Sequence, residues 1–123
     1  MSTEYYANNV VGLRISRDTI KEYLATNKSF LDPYEFIERL NLENAWDDDG
    51  NYFLTSSEKY VVCIDIKHGC LSACGIPLLN DANYEAIKSG IKQKLDDINK
   101  KMRWVGDLWK DEDFKIWVFG HTG

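Results

Sequence analysis

The chain has little of what most often announces chemistry or disorder. Only two prolines occur in 123 residues and there is no low-complexity run, so a disordered polymer is excluded. Histidine is limited to His68 and His121, so acid–base catalysis would fall mainly to carboxylates. The three cysteines are an odd number at low density, which argues against a disulfide framework and for a reducing cytoplasm. No apolar run approaches the ~20 residues needed to span a bilayer, and the opening MSTEYYANN has neither the basic nor the apolar region of a signal peptide. A basic excess is missing too. The net charge is −5, which disfavours nucleic acid as a partner, because such a partner needs a surface that releases phosphate counterions. Glycine-rich phosphate loops are absent, as are the helical zinc-protease signature and the nucleophile elbow of serine hydrolases.

What is present describes a compact domain. The composition is 44% hydrophobic and 28% charged, ordinary for a soluble protein, with an aromatic share of 13% that is on the high side. A chain of this length buries roughly 65% of its unfolded surface, enough for one core without staples, so residues 1–123 are expected to form a single globular domain. No internal repeat is visible. Charge is unevenly placed: residues 41–50, NLENAWDDDG, hold four acids and no base, whereas residues 88–103 hold six bases against Asp96 and Asp97.

Hydrophobic periodicity divides the chain. Val11, Leu13 and Ile15 alternate in a first strand, Val10–Ile15. Ser16 or Asp18 then caps a short helix with Ile20, Tyr23 and Leu24 on one face, ended by Asn27-Lys28-Ser29. Asp32-Pro33-Tyr34-Glu35 starts a second helix that runs through Phe36, Ile37 and Leu40. Trp46 closes that segment and Asp47 to Asn51 turns the chain. Strands follow at Tyr52–Thr55 and Tyr60–Ile66, joined by a hairpin loop over Ser56–Lys59, and then at Cys70–Ile76, ended by Pro77. Asn80 or Asp81 caps the longest helix, which reaches about Met102 with Ala86 or Ile87, Ile91, Leu95, Ile98 and Met102 as its apolar stripe. Gly90 inside it predicts a close neighbour. The last residues read as a hairpin with arms Trp104–Trp109 and Phe114–Phe119 and a turn at Lys110–Asp113. The order β-α-α-β-β-β-α-β-β predicts an α+β fold: a single antiparallel sheet of five or six strands with two short helices and one long helix packed on it.

The densest cluster of reactive side chains is CIDIKHGCLSAC, residues 63–74. A two-residue turn at His68-Gly69 would set Lys67 opposite Cys70 and Cys63 opposite Cys74. Val62, Ile64, Ile66, Leu71 and Ala73 then share one face, and all three thiols share the other. Structural zinc sites use pairs of cysteines two to four residues apart, usually two such pairs, and this spacing does not fit. Cys63 and His68 would lie roughly 16 Å apart along a strand, too far for a nucleophile and its base. A cross-strand Cys63–Cys74 disulfide is geometrically conceivable but disfavoured in a reducing compartment. The preferred reading is thiols filling a half-buried face. DDDGN resembles a calcium loop, yet with Gly50 at the sixth position the first is Ala45 and the twelfth Ser56, so the ligand pattern fails. No metal and no cofactor is expected.

Both faces of Phe114 to Phe119 are apolar, so the strand is buried on both sides or presents one to a partner. Small size, acidity and aromatic richness favour a protein-binding module of inhibitor, immunity or adaptor type, with no chemistry of its own. It would bind a partner with a basic surface through Asp47, Asp48, Asp49, Asp111, Glu112 and Asp113, anchored by Trp109 and Trp117. A homodimer is compatible with this reading. The alternatives are a small-molecule binder with an aromatic-lined pocket, and an enzyme whose site is assembled only in the fold.

Overall fold

The computed structural model describes the backbone of residues 5–56, 61–66, 74–76 and 84–122, and the side chains of residues 9–56 and 84–119. The fold is α+β, with one antiparallel sheet and three helices. The strands are β1 (Tyr5–Ser16), β2 (Glu43–Trp46), β3 (Asn51–Thr55), β4 (Val61–Ile66), β5 (Cys74–Ile76) and β6 (Phe114–Thr122). The helices are α1 (Arg17–Thr26), α2 (Pro33–Leu40) and α3 (Tyr84–Met102). No helix among the described residues is long and apolar enough to cross a membrane.

Several expected local signals act as read. Ser16 caps α1, its Oγ accepting from the Thr19 N–H at 3.2 Å, and Ile20, Tyr23 and Leu24 are buried. Asp32 caps α2, its Oδ1 accepting from the Glu35 N–H at 2.8 Å with Pro33 in the first turn, and Phe36, Ile37 and Leu40 are buried. Ile87, Ile91 and Leu95 anchor α3. A Cβ on Gly90 would come within 3.0 Å of the Ser56 Cβ, the close neighbour that this glycine predicted. Residues Asn80 and Asp81, expected to cap α3, lie outside the described residues.

The strand connections depart from the expected order, which becomes β-α-α-β-β-β-β-α-β. The organiser is β1. Along one edge it pairs with β6 from Tyr5↔Thr122 to Leu13↔Phe114. Along the other it pairs with β4 over residues 5–10 and with β3 over residues 13–16. The sheet therefore stands at most four strands abreast, not five or six: β2-β3-β1-β6 at the level of Leu13 and β4-β1-β6-β5 at the level of Val10. The expected β3–β4 hairpin around Ser56–Lys59 does not form. Both strands lie end to end on the same edge of β1: while β1 advances from Val10 to Leu13, its partner runs from Val61 back to Leu54, four residues more. The loop residues 57–60 lie outside the described residues.

The cysteine ribbon is also overturned. Cys63 stands opposite Asn8 on β1, and Cys74 stands opposite Val118 on β6, with β1 and β6 between their strands. Three strand spacings of about 4.8 Å separate them by roughly 14 Å, beyond the 7 Å or so of Cα separation that a disulfide can bridge. Residues 67–73, including the expected His68-Gly69 turn and Cys70, lie outside the described residues. Alternation of apolar residues reports which positions share a side, and it is satisfied by pairing with any strand; here the long edges of β1 and β6 win.

Two further segments change class. Glu43–Trp46, poor in strand-forming residues, is an edge strand held by pairing with β3 from Glu43↔Thr55 to Trp46↔Tyr52. Trp104–Trp109 is not a strand. The chain leaves α3 through Arg103 at φ +57°, with the Trp104 N–H donating back to the Asn99 carbonyl at 2.9 Å, a helix-terminating arrangement. The Val105 backbone is then satisfied by a side chain: its N–H donates to Asn27 Oδ1 at 2.8 Å and its carbonyl accepts from Asn27 Nδ2 at 3.0 Å. A single 3-10 turn, Asp111–Asp113, leads into β6.

The sheet buries apolar side chains on both faces. On the helix side, Leu13, Ile15, Leu54 and Phe114 meet the buried faces of α1, α2 and α3. On the other side lie Val10, Ala45, Phe53, Trp117 and Phe119. Phe53 pairs in register with Arg14 and Phe119 with Asn8, six positions apart along β1. In a flat sheet they would stand about 20 Å apart, yet their rings stack with centroids at 4.0 Å and planes 9° apart. The sheet must therefore fold over itself, and Gly12 marks the place. A Cβ there would lie 2.0 Å from the Leu54 carbonyl oxygen, so only glycine admits this approach of β1 to β3. Among the described residues, the curl of the sheet gathers this second core.

Candidate interaction surface

The β2–β3 turn is built around one carboxylate. Asp47 is buried, and its Oδ1 accepts from the backbone N–H groups of Asp49 at 3.0 Å and Asn51 at 2.9 Å. Its Oδ2 accepts from Asn51 Nδ2 at 2.9 Å. Gly50 completes the turn at φ +85°, and its carbonyl accepts from the Arg17 N–H at 2.8 Å, tying the turn to the start of α1. Asp47 thus holds the loop's shape, and Asp48 and Asp49 are the carboxylates it carries to the surface. Replacing Asp47 with alanine is expected to destabilise the fold by about 2 kcal/mol, since it strips the acceptor from two backbone donors at once. Chemical denaturation measures this, and Asp47→Asn, which keeps one acceptor oxygen, should fall between.

Beside this turn stands an aromatic group. Trp46 and Tyr52 are cross-strand partners, and α2 contributes Tyr34 from its first turn. With Arg17, Asp48 and Gly50 they line a groove of about 280 Å³ where the helix layer meets the sheet edge. Trp46 is 55% exposed and Tyr34 57% exposed. The hydrogen bond to the Glu38 carboxylate, reinforced by its charge, raises the Tyr34 hydroxyl above the usual phenol range and keeps it a donor. Trp46 was not singled out as an anchor in the sequence, because its position after a helix hid its place on an edge strand.

The other nominated residues divide. Trp117 is buried, its indole N–H donating to the Gly12 carbonyl at 3.2 Å and the Asp113 carbonyl at 3.1 Å, with the Arg14 guanidinium 4.4 Å from its ring. It is a core residue, not a surface anchor. Trp109 is half-buried against Phe114, and its indole N–H donates to Asp111 Oδ1 at 2.7 Å. That bond, together with the charge of Lys88 and Lys92, holds the Asp111 carboxyl below the usual carboxylate range. Asp111 is 3.6 Å from Lys88, and Asp113 is 3.3 Å from Arg14, so both are matched by cations of the chain itself. Glu112 is exposed.

Asn51 lines both the Trp46 groove and a cleft of about 310 Å³ beside Asp113, so the two acidic turns flank one end of the sheet. Arg14 and Lys110 line that cleft too and interrupt the acids. A further cleft, of about 390 Å³, lies between α1, α3 and residues 106–109. Its polar groups are engaged in holding the chain: the Tyr23 hydroxyl donates to Asn99 Oδ1, and Asn99 Nδ2 donates to the Gly106 carbonyl at 2.8 Å. Burial, aided by the charge of Asp107, raises the Tyr23 hydroxyl above its ordinary value. Among the described residues no group of three or more His, Cys, Asp or Glu side chains is arranged to hold a metal ion.

No protein-family model, curated protein or solved structure matches this chain. The functional reading therefore rests on the chemistry of the surface alone.

Proposed function

We propose that this protein acts by stoichiometric binding of a protein partner, as an inhibitor, immunity or adaptor protein does, with no chemistry of its own. One observation carries the reading: Trp46 and Tyr34, both more than half exposed, line a single groove against the carboxylate-bearing turn that Asp47 shapes. Trp and Tyr are the residues that most often dominate interface energy, because they bury a large area while losing few rotamers. Asp48 and Asp49 on that turn, in a chain of net charge −5, favour a partner with a basic surface and speed its encounter. Arg17 at the groove's edge supplies a donor fork that fixes the partner's orientation.

Trp46→Ala tests the reading. The residue sits on a short edge strand, so its loss is expected to cost about 1 kcal/mol of stability or less. As an interface anchor it should cost 2 kcal/mol or more of binding, roughly thirtyfold or greater in affinity. The experiment captures cellular proteins on wild-type and Trp46→Ala protein, identifies those lost by mass spectrometry, and titrates each against both. Recovery of small molecules only, or equal affinity for the two forms, overturns the proposal.

A second reading, small-molecule binding, is favoured by the size of the 390 Å³ cleft and by Tyr23 and Trp109 in its wall. It is weaker because that cleft is open to solvent and its central Asn99 is already committed on both sides. An enzymatic site would need His68 or His121, whose side chains lie outside those described.

A further inference from the structure

We infer that the groove between α2 and α3 is a second docking surface, which takes an acidic amphipathic helix of a partner protein. The groove holds about 240 Å³ and its apolar floor is Leu31, Leu40, Ile98, Met102 and Trp104. Its rim is Arg39, Lys94 and Lys101, against the single acid Asp97, whose Oδ1 already accepts from Gln93 Nε2 at 2.7 Å. The lining thus carries a local excess of positive charge on a chain of net charge −5.

The shape suits a helix. Lys94, Ile98, Lys101 and Met102 recur three and four apart along α3, where the stripe of the buried Ile87, Ile91 and Leu95 continues to the helix's C-terminal end and Lys94 and Lys101 flank it. A partner helix laid along this face would set apolar residues spaced three and four apart onto the floor and its carboxylates onto the rim. Two residues adjacent in the chain to lining residues are exposed and apolar. Phe30, next in the chain to Leu31, is fully exposed, and Val105, next to Trp104, is 66% exposed.

A second copy of this chain does not supply the occupant. The apolar residues of α1 and α2 are spent on the core, and the exposed charges of α3 are mixed, Glu85, Asp96 and Asp97 against Lys92, Lys100 and Lys101, so none of the three helices offers a free acidic amphipathic face. Nucleic acid is disfavoured by the apolar floor and by the net charge.

The test is selection of short helical peptides from a display library on the full chain, followed by titration of the winners. The selected sequences are expected to be rich in Asp and Glu, with apolar residues at helical spacing. Their affinity should fall about tenfold for Lys94→Gln with Lys101→Gln, and again for Met102→Asp, and should weaken as salt is raised. Wild-type melting of the variants establishes that the fold is kept. The Trp46→Ala protein should bind the same peptides unchanged, which separates this surface from the groove of the proposed function. The inference is overturned if no acidic helical sequence emerges, if the winners are basic, if the groove variants bind as well as wild type, or if a short DNA duplex binds more tightly than the peptides.

Discussion

Replacing Gly12 with alanine is expected to lower stability by about 3 kcal/mol or more and the melting temperature by about 10 °C or more. The usual effect of such a change in a strand runs the other way. Alanine restricts the unfolded chain and would stabilise by about 0.4–1 kcal/mol if its native conformation were free of strain. At Gly12 that gain is overwhelmed. The new Cβ would lie 2.0 Å from the Leu54 carbonyl oxygen and 2.9 Å from its carbon, and both are backbone atoms of the paired strand β3. Overpacked side chains usually cost about 1–3 kcal/mol because neighbours can rotate away, and a backbone carbonyl held between strands has no rotamer to change. Relief requires opening the β1–β3 ladder where Leu13 pairs with Leu54, one residue from the bend. Leu13 and Leu54 are fully buried in the helix-side core, so opening there also loosens α1 and α3. Urea denaturation followed by far-ultraviolet circular dichroism measures the change. An alanine variant within 1 kcal/mol of wild type would show that β1 and β3 do not approach so closely and that the sheet folds elsewhere.

The helices were legible in the sequence and the strand partners were not, and the reason is physical. A helix satisfies its backbone within itself, so the caps at Ser16 and Asp32 and the stripes of α1, α2 and α3 could be read from neighbours three and four residues away. A strand satisfies its backbone elsewhere, and Val61–Ile66 carries the same alternation whether it faces Cys74–Ile76 or Tyr5–Val10. The assumption that short loops join paired strands failed twice, at residues 57–60 and 67–73, because β1 is long enough to accept β3 and β4 in succession. The acidic turn was legible as a turn. That Asp47 would be consumed inside it, and that Trp46 instead of Trp117 would reach the surface, depended on which face of which strand was covered. Two-sided apolarity in Phe114–Phe119 is visible in sequence; that, among the described residues, the second face meets Phe53 and Ala45 of the same sheet follows from the curl at Gly12, a tertiary fact written in a single glycine.

That curl makes a second strong prediction, for the pair Phe53 and Phe119. Each is fully buried, and truncation of either to alanine is expected to cost about 3–5 kcal/mol, for lost burial and for the cavity left behind. Such losses approach the whole stability of a domain this size, about 5–15 kcal/mol. Phe53→Leu and Phe119→Leu, which retain volume, keep the comparison measurable. The informative quantity is the coupling between the two sites. Stacked aromatic rings add about 0.5–1.5 kcal/mol beyond their separate burial, so the double variant should be less destabilised than the two single losses predict by that amount. Residues farther apart than about 7–10 Å without shared partners couple by no more than about 0.5 kcal/mol. A flat sheet puts these two about 20 Å apart across β1, while the folded one stacks them at 4.0 Å with Trp117 at 5.7 Å from Phe53. Additive losses in the cycle would therefore contradict a sheet closed on itself and leave Trp117 and Phe119 needing another cover. Measured coupling, with Gly12→Ala reducing it, would tie the bend, the second core and the position of the Trp46 edge strand into one structural cause, since Ala45, paired with Phe53, carries that strand onto the same core.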